Sequence, residues 1–155
     1  MIIKLAEGLG KIIADWSEYD RAEFILRFVQ QNVTYITDEK RFGQWHKEKW
    51  VFPVDTLKAR LGDCEDKSFL CDALMHLNGL DAVLISVPGH ICVGVNLNNV
   101  LGGRKYTYDG KLYYHAETIE NIPIGSFTRD LGEPDCIMPA KLPDKDFLER
   151  LRDDY

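Results

Sequence analysis

The sequence predicts an α+β fold, with helices first and an antiparallel sheet second. Two observations carry that prediction. Through the first eighty positions apolar residues recur at helical spacing, as in Phe24, Ile25, Phe28 and Val29; from Ala82 onward the pattern becomes extended and is punctuated by Pro88-Gly89 and Asp109-Gly110. With 155 residues, 45% of them hydrophobic, there is material for one core and too little chain for two ordinary domains. Residues 1–155 are therefore expected to form a single domain.

A first helix is expected over Leu5–Trp16, although Gly8 and Gly10 each cost about 1 kcal/mol relative to alanine in a helix interior. A second follows over Arg21–Gln31, with Asp20 as N-cap and the Phe24, Ile25, Phe28 and Val29 stripe buried. Val33–Thr37 is β-branched and extended. Residues 38–56 read as polar and irregular, yet they hold Phe42, Trp45, Trp50 and Phe52, which suits a loop that packs over something. Asp55 or Thr56 is expected to cap a short helical turn that Arg60-Leu61-Gly62 breaks. A strong helix then starts at Asp63: its carboxylate caps, Glu65 and Asp66 put negative charge where the helix dipole favours it, and Asn78-Gly79 stops the run. Strands are expected at Ala82–Val87, His90–Leu97, Lys105–Tyr108 and Lys111–Thr118, the last two joined by the Asp109-Gly110 turn. A short strand at Asn121–Ile124, irregular chain over Leu131–Pro143 and a charged helix over Lys145–Arg152 complete the reading.

Nineteen Lys and Arg against twenty-five Asp and Glu leave a net charge of −6, which argues against a chain that neutralises phosphates or anionic lipid. Neither nucleic acid nor a membrane is an expected partner. Apolar runs fall well short of the roughly 20 residues of a membrane helix, and the start lacks the pattern of an export leader, so a cytoplasmic protein is expected. The four cysteines, Cys64, Cys71, Cys92 and Cys136, are too sparse for a disulfide scaffold. No C-x2-C or H-x3-H pair organises zinc and no loop of oxygen ligands suits calcium, so no metal or other cofactor is expected.

Cys64 falls in the first turn of a helix, where free N–H groups and the dipole favour a thiolate, while Asp63, Glu65 and Asp66 oppose it. A histidine partner resolves that conflict. His90 projects from a strand start after Pro-Gly and suits a general base and acid; Glu117, near the end of a strand in the same sheet, suits the carboxylate that orients the imidazole. Tyr113, His115 and Glu117 share one strand face, and His115 reads as a neighbouring surface or pocket-wall residue. Cys71 and Cys92 read as core residues, His46 and His76 as exposed polar residues, and Asp109 as part of its turn.

These residues, in the runs Trp50-Val-Phe-Pro53-Val-Asp-Thr56-Leu57, Gly62-Asp63-Cys64-Glu65-Asp66-Lys67-Ser68, Gly89-His90-Ile-Cys-Val-Gly94-Val95 and Tyr113-Tyr-His-Ala-Glu117-Thr118, resemble the transglutaminase-like superfamily, particularly its small microbial members. The resemblance covers about residues 20–125. It implies a papain-like core in which a cysteine-bearing helix packs on an antiparallel sheet, with Cys64 as nucleophile, His90 as general base and acid, and Glu117 where many relatives carry Asp. It further implies an oxyanion site formed by the Cys64 N–H with the Trp50 indole or the Gln44 amide, Trp50 fitting the family pattern better. The implied chemistry is attack on an amide of a protein or peptide substrate to form a thioester, resolved by water in a protease or deamidase and by an amine in a transglutaminase. The rival expectation is a peptide- or partner-binding module that keeps the cleft and does little chemistry.

Overall fold

The computed structural model describes residues 1–45, 49–98 and 102–140. Helix α1 (Ile2–Ile13) starts three residues earlier than expected and ends before Trp16, because its buried stripe runs through Ala6, Leu9 and Ile13. Gly10 belongs there for a steric reason: a Cβ at that position would come within 2.7 Å of Asn78 Oδ1. Helix α2 (Glu18–Asn32) is capped by Ser17, not Asp20; the Ser17 hydroxyl accepts the Asp20 N–H at 3.1 Å, and the helix buries Ala22, Ile25, Leu26 and Val29. Phe24 and Phe28 flank that stripe at the margin of the core.

The extended residues after α2 form β1 (Thr34–Tyr35), which pairs in parallel with β2 (Leu61–Gly62), placing Tyr35 opposite Gly62. Between them lie two short helices: α3 (Asp38–Phe42), inside the stretch expected to be irregular, and α4 (Pro53–Ala59), the expected short helical turn. Pro53 occupies the first turn of α4, where its missing N–H is not needed; Asp55 and Thr56 thus lie inside the helix and do not cap it, and Arg60 ends it in the left-handed region at φ 55°. Helix α5 (Cys64–Leu77) begins and ends where the capping signals place it, with Asp63 Oδ1 accepting the Asp66 N–H at 3.1 Å.

Strands β3 (Ala82–Val87), β4 (His90–Asn96), β5 (Lys105–Tyr108), β6 (Lys111–Ala116) and β7 (Cys136–Pro139) form one antiparallel sheet in the order β5-β6-β4-β3-β7. Asp109 (φ 49°) and Gly110 (φ 73°) make the tight β5–β6 turn. Two expectations are corrected. No strand forms at Asn121–Ile124, and part of the supposedly irregular 131–143 segment is β7, which pairs with β3 through Ser86↔Cys136 and Ile85↔Ile137. The helix expected over Lys145–Arg152 and the placement of His46 lie outside the described residues.

One sheet face, with Val93, Val95, Tyr114 and Ala116, packs against Ile25, Leu26, Leu70, Leu74 and Met75 of the helices. The other gathers Val83, Ile85, Val87, Cys92, Tyr106 and Tyr113 under Leu131. Among the described residues, no helix is long and apolar enough to cross a membrane. The helix-on-sheet arrangement sets the N-terminus of α5 beside the start of β4 and the end of β6.

Candidate active site

Almost every residue of the Gly62–Ser68 run has a separate structural task. Gly62 lies so close to the helix that a Cβ would sit 2.7 Å from Asp66 Cβ and 3.2 Å from Thr56 Cγ2. Asp63 caps the helix. Asp66 accepts the Val51 N–H at 3.0 Å and pairs with Arg41 at 3.2 Å, which pins the segment before α4 and the end of α3 to α5. Burial, together with the nearby Asp63 charge, pushes the Asp66 carboxyl up to about 6 against the opposing pull of the Val51 N–H and Arg41. Lys67 is buried, with Nζ 2.5 Å from the Val33 carbonyl; burial lowers it to about 8, while the charges of Cys71 and Glu117 hold it up. Ser68 Oγ donates to the Ile91 carbonyl at 3.1 Å and lies 3.2 Å from Thr118 Oγ1. That single hydroxyl therefore ties the cysteine helix both to β4, one residue after His90, and to the chain one residue after Glu117.

This clamp brings Cys64, His90 and Glu117 together. His90 Nε2 is 2.9 Å from Glu117 Oε2 and 3.2 Å from Oε1, and both residues are buried. With Nε2 committed to the carboxylate, Nδ1 is the ring nitrogen left for the thiol. Burial alone would lower His90, but hydrogen bonds to Cys64 and Glu117 and the charges of both push it up to about 9. Burial alone would raise Glu117; the neighbouring His115 ring, the hydrogen bond and charge of His90 and the Ile119 N–H hold it well below the usual carboxylate range. Cys64 is half-buried, and its Sγ also lies 3.9 Å from Glu65 Oε2.

Cys64 and His90 open onto a cleft of about 360 Å³ whose other walls include Tyr35, Asp38, Asp63, Glu65 and Asp135. The wall is strongly acidic, so the imidazolium is the positive charge closest at hand to offset a thiolate there. Gln44 and Trp50 are both exposed, and neither lines this cleft; the Trp50 indole stands edge-on to Phe69 with ring centroids 6.0 Å apart.

The remaining candidates sort clearly. Cys71 and Cys92 are fully buried, and burial pushes both thiols up, Cys92 to about 12. Cys136 is exposed and free. His76 is not an exposed polar residue: its Nε2 is 2.9 Å from the Ala82 carbonyl and 3.4 Å from Asp72 Oδ1. His115 is neither surface nor pocket wall but fully buried, 3.6 Å from Glu117. Sequence reasoning also missed Lys67 and Ser68; the signal available was a lysine and a serine placed on what the helical pattern makes the inward face of α5.

Residues 4–124 match the transglutaminase-like domain family. The chain belongs to that family. Solved structures show the same fold over nearly the whole length: Legionella pneumophila LapG in an EGTA-treated form superposes with a TM-score of 0.58 at 16% identity, covering 98% of this chain and 92% of that one. The calcium-bound form of LapG gives a TM-score of 0.56 at 16% identity, covering 97% of each chain. No protein of curated function matches the sequence. The transglutaminase-like core is the expected cysteine helix on an antiparallel sheet. Among the described residues, no three or more histidine, cysteine or carboxylate side chains gather as a metal site.

Proposed function

We propose that this protein cleaves amide bonds in protein or peptide substrates through a thioester on Cys64, with His90 and Glu117 completing the triad. The observation that supports the reading is the buried His90, its Nε2 held 2.9 Å from Glu117 and its ring lining one open cleft with Cys64. His90 takes the Cys64 proton, and the sulfur attacks the substrate carbonyl carbon. The oxyanion that forms lies at the start of α5, where the Cys64 N–H has no intrahelical acceptor. The imidazolium then protonates the departing amine as the tetrahedral intermediate collapses to the thioester. Neutral His90 next takes a proton from water, hydroxide adds to the thioester, and the acid leaves as Cys64 is restored. Glu117 keeps the ring oriented and stabilises its charge in both half-reactions.

Hydrolysis is the proposed outcome because water needs no second binding site; an amine in the same role would make the protein a transglutaminase. A second oxyanion donor from Trp50 or Gln44 requires the segment before α4 to close over the cleft when substrate binds, and Trp50→Phe tests that role through a loss in kcat without loss of fold. The binding-module reading predicts retained partners and no turnover. Incubating the protein with a mixed protein pool and analysing the products by mass spectrometry separates the outcomes. New termini that vanish with Cys64→Ala support proteolysis, a gain of about one mass unit at glutamine supports deamidation, and crosslinks indicate amine transfer. Identical products from wild type and Cys64→Ala would defeat the proposal.

A further inference from the structure

Glu117 is approached from two sides. His90 reaches Oε2 from the cleft at 2.9 Å, and on the interior side His115 Nε2 is 3.6 Å from the same oxygen. Behind His115 the polar contacts continue: Tyr106 Oη is 3.1 Å from His115 Nδ1, and Arg104 Nε is 2.9 Å from Tyr106 Oη. Arg104 is itself anchored to the Gly132 carbonyl and lies 3.7 Å from Asp130. A chain of four side chains thus runs from the exposed loop at 130–132, through the interior of the sheet, to the triad carboxylate.

The chemistry of the first link fixes its direction. A guanidinium only donates, so Tyr106 Oη accepts from Arg104 and has its own proton left to give. His115 Nδ1, 3.1 Å away, can accept it, and in the tautomer that does so the ring proton sits on Nε2, facing Glu117. That N–H is fully buried and finds no acceptor within hydrogen-bond distance among the described residues; Glu117 is the nearest candidate. Leaving a buried donor unpaired carries the full cost of its desolvation, which favours a shorter contact. Catalytic hydrogen bonds that are long in an unliganded enzyme commonly tighten when substrate is bound. A glutamate has one more rotatable bond than an aspartate, and a second donor on its inner side removes that freedom.

We infer that His115, held in one tautomer by Tyr106 and Arg104, is a positioning residue that fixes the Glu117 carboxylate against His90. The inference rests on the acyl-transfer reading above. The charged and titratable groups around Glu117 are His90 and Cys92 of β4, His115 of β6, Tyr106 and Arg104 at β5, and Cys64 and Lys67 of α5.

The experiment follows iodoacetamide alkylation of Cys64 across pH, with exposed Cys136 in the same molecule as reference. Tyr106→Phe and His115→Leu are expected to move the acid limb of the Cys64 profile up by about half to one pH unit, a loss of roughly three- to tenfold in rate at a fixed acidic pH. His115→Gln, which returns an N–H near the same point, is expected to recover most of it, and Cys136 is expected to be unaffected. A merely structural role would lower the melting temperature and leave the profile in place. Should His115→Leu fail to fold, Tyr106→Phe removes a single oxygen and carries the test. In parallel, long-range proton–nitrogen NMR of the wild type should show His115 protonated on Nε2, and Tyr106→Phe should release the Nδ1 position. Unchanged profiles in both variants, or a wild-type proton on Nδ1, overturn the inference. If His90→Ala flattens the Cys64 profile while Tyr106→Phe does not, this inference falls and the triad stands; if His90→Ala changes nothing, both fall.

Discussion

The two halves of α5 use opposite physics. Its first turns bury polar groups, with Asp66, Lys67 and Ser68 each satisfied by a partner on a different element. Its last turns bury Leu70, Cys71, Leu74 and Met75 in the main core. Apolar packing is strong and non-directional, so it holds the helix on the sheet without fixing its rotation or its rise to a fraction of an ångström. Hydrogen bonds are weaker and directional, and here they hold the end of the helix that carries the thiol. Substitutions in the apolar half should therefore cost stability, and substitutions in the polar half should cost chemistry.

The largest effect should come from the site. Cys64→Ala is expected to reduce turnover by about 10⁴-fold or more while changing stability by less than about 1 kcal/mol, checked by product mass spectrometry and urea unfolding. Leu74→Ala reverses that pattern. It should cost about 2–5 kcal/mol in urea unfolding yet leave the Cys64-to-Cys136 alkylation ratio of the folded protein unchanged. If the ratio collapses too, the two halves are not separable.

Titration sharpens the same contrast. His90 is raised to about 9 in the folded protein from 6.5, so its stabilising contribution is fully present below about pH 6.5 and is lost as pH rises through 9. Glu117, held low, contributes above the ordinary carboxylate range and loses that contribution only in strong acid. Lys67 acts in the opposite sense, since its lowered value of about 8 imposes a penalty that is relieved as pH climbs from there toward 10.5. Comparing wild type with His90→Gln cancels the lysine. Their stability difference should shrink by on the order of 2 kcal/mol between pH 6.5 and 9, measured by chemical unfolding at each pH; a difference that stays flat would remove the charge-paired imidazole.

Ser68→Ala should cost about 1–2 kcal/mol, because the Ile91 carbonyl loses its donor and the Thr118 hydroxyl its acceptor, and should slow Cys64 alkylation several-fold. A stability loss with no kinetic effect would show that the clamp does not hold the triad. Asp109→Asn should do almost nothing, within about 0.5 kcal/mol and with unchanged turnover, because asparagine tolerates the left-handed backbone that the β5–β6 turn requires.

Much of this was legible in the sequence where local signals are complete. Asp63 and Asn78-Gly79 bracket α5 to the residue, and Pro88-Gly89 and Asp109-Gly110 set the ends of the strands they join. What escaped was decided at long range or over few residues. Strand β7 is four residues of unremarkable composition that become a strand only because β3 offers its edge. Helix α3 is five residues long, too short for a periodicity to register. The shared face of His115 and Glu117 was readable from the period of two, but not which way that face turns, and that orientation makes His115 a partner of the carboxylate and not a wall of the cleft. Trp50 and Gln44 show the converse: a family pattern supplies their positions, and the fold leaves both side chains in solvent.

The most direct test of the triad compares two thiols of one molecule. Cys136 is the more exposed and Cys64 is half-buried, so accessibility alone favours Cys136. Iodoacetamide at about pH 6.5 is expected to modify Cys64 at least about tenfold faster than Cys136, and His90→Ala to abolish the advantage. Faster labelling of Cys136 in the wild type, or a Cys64 advantage that survives His90→Ala, would contradict the triad assignment.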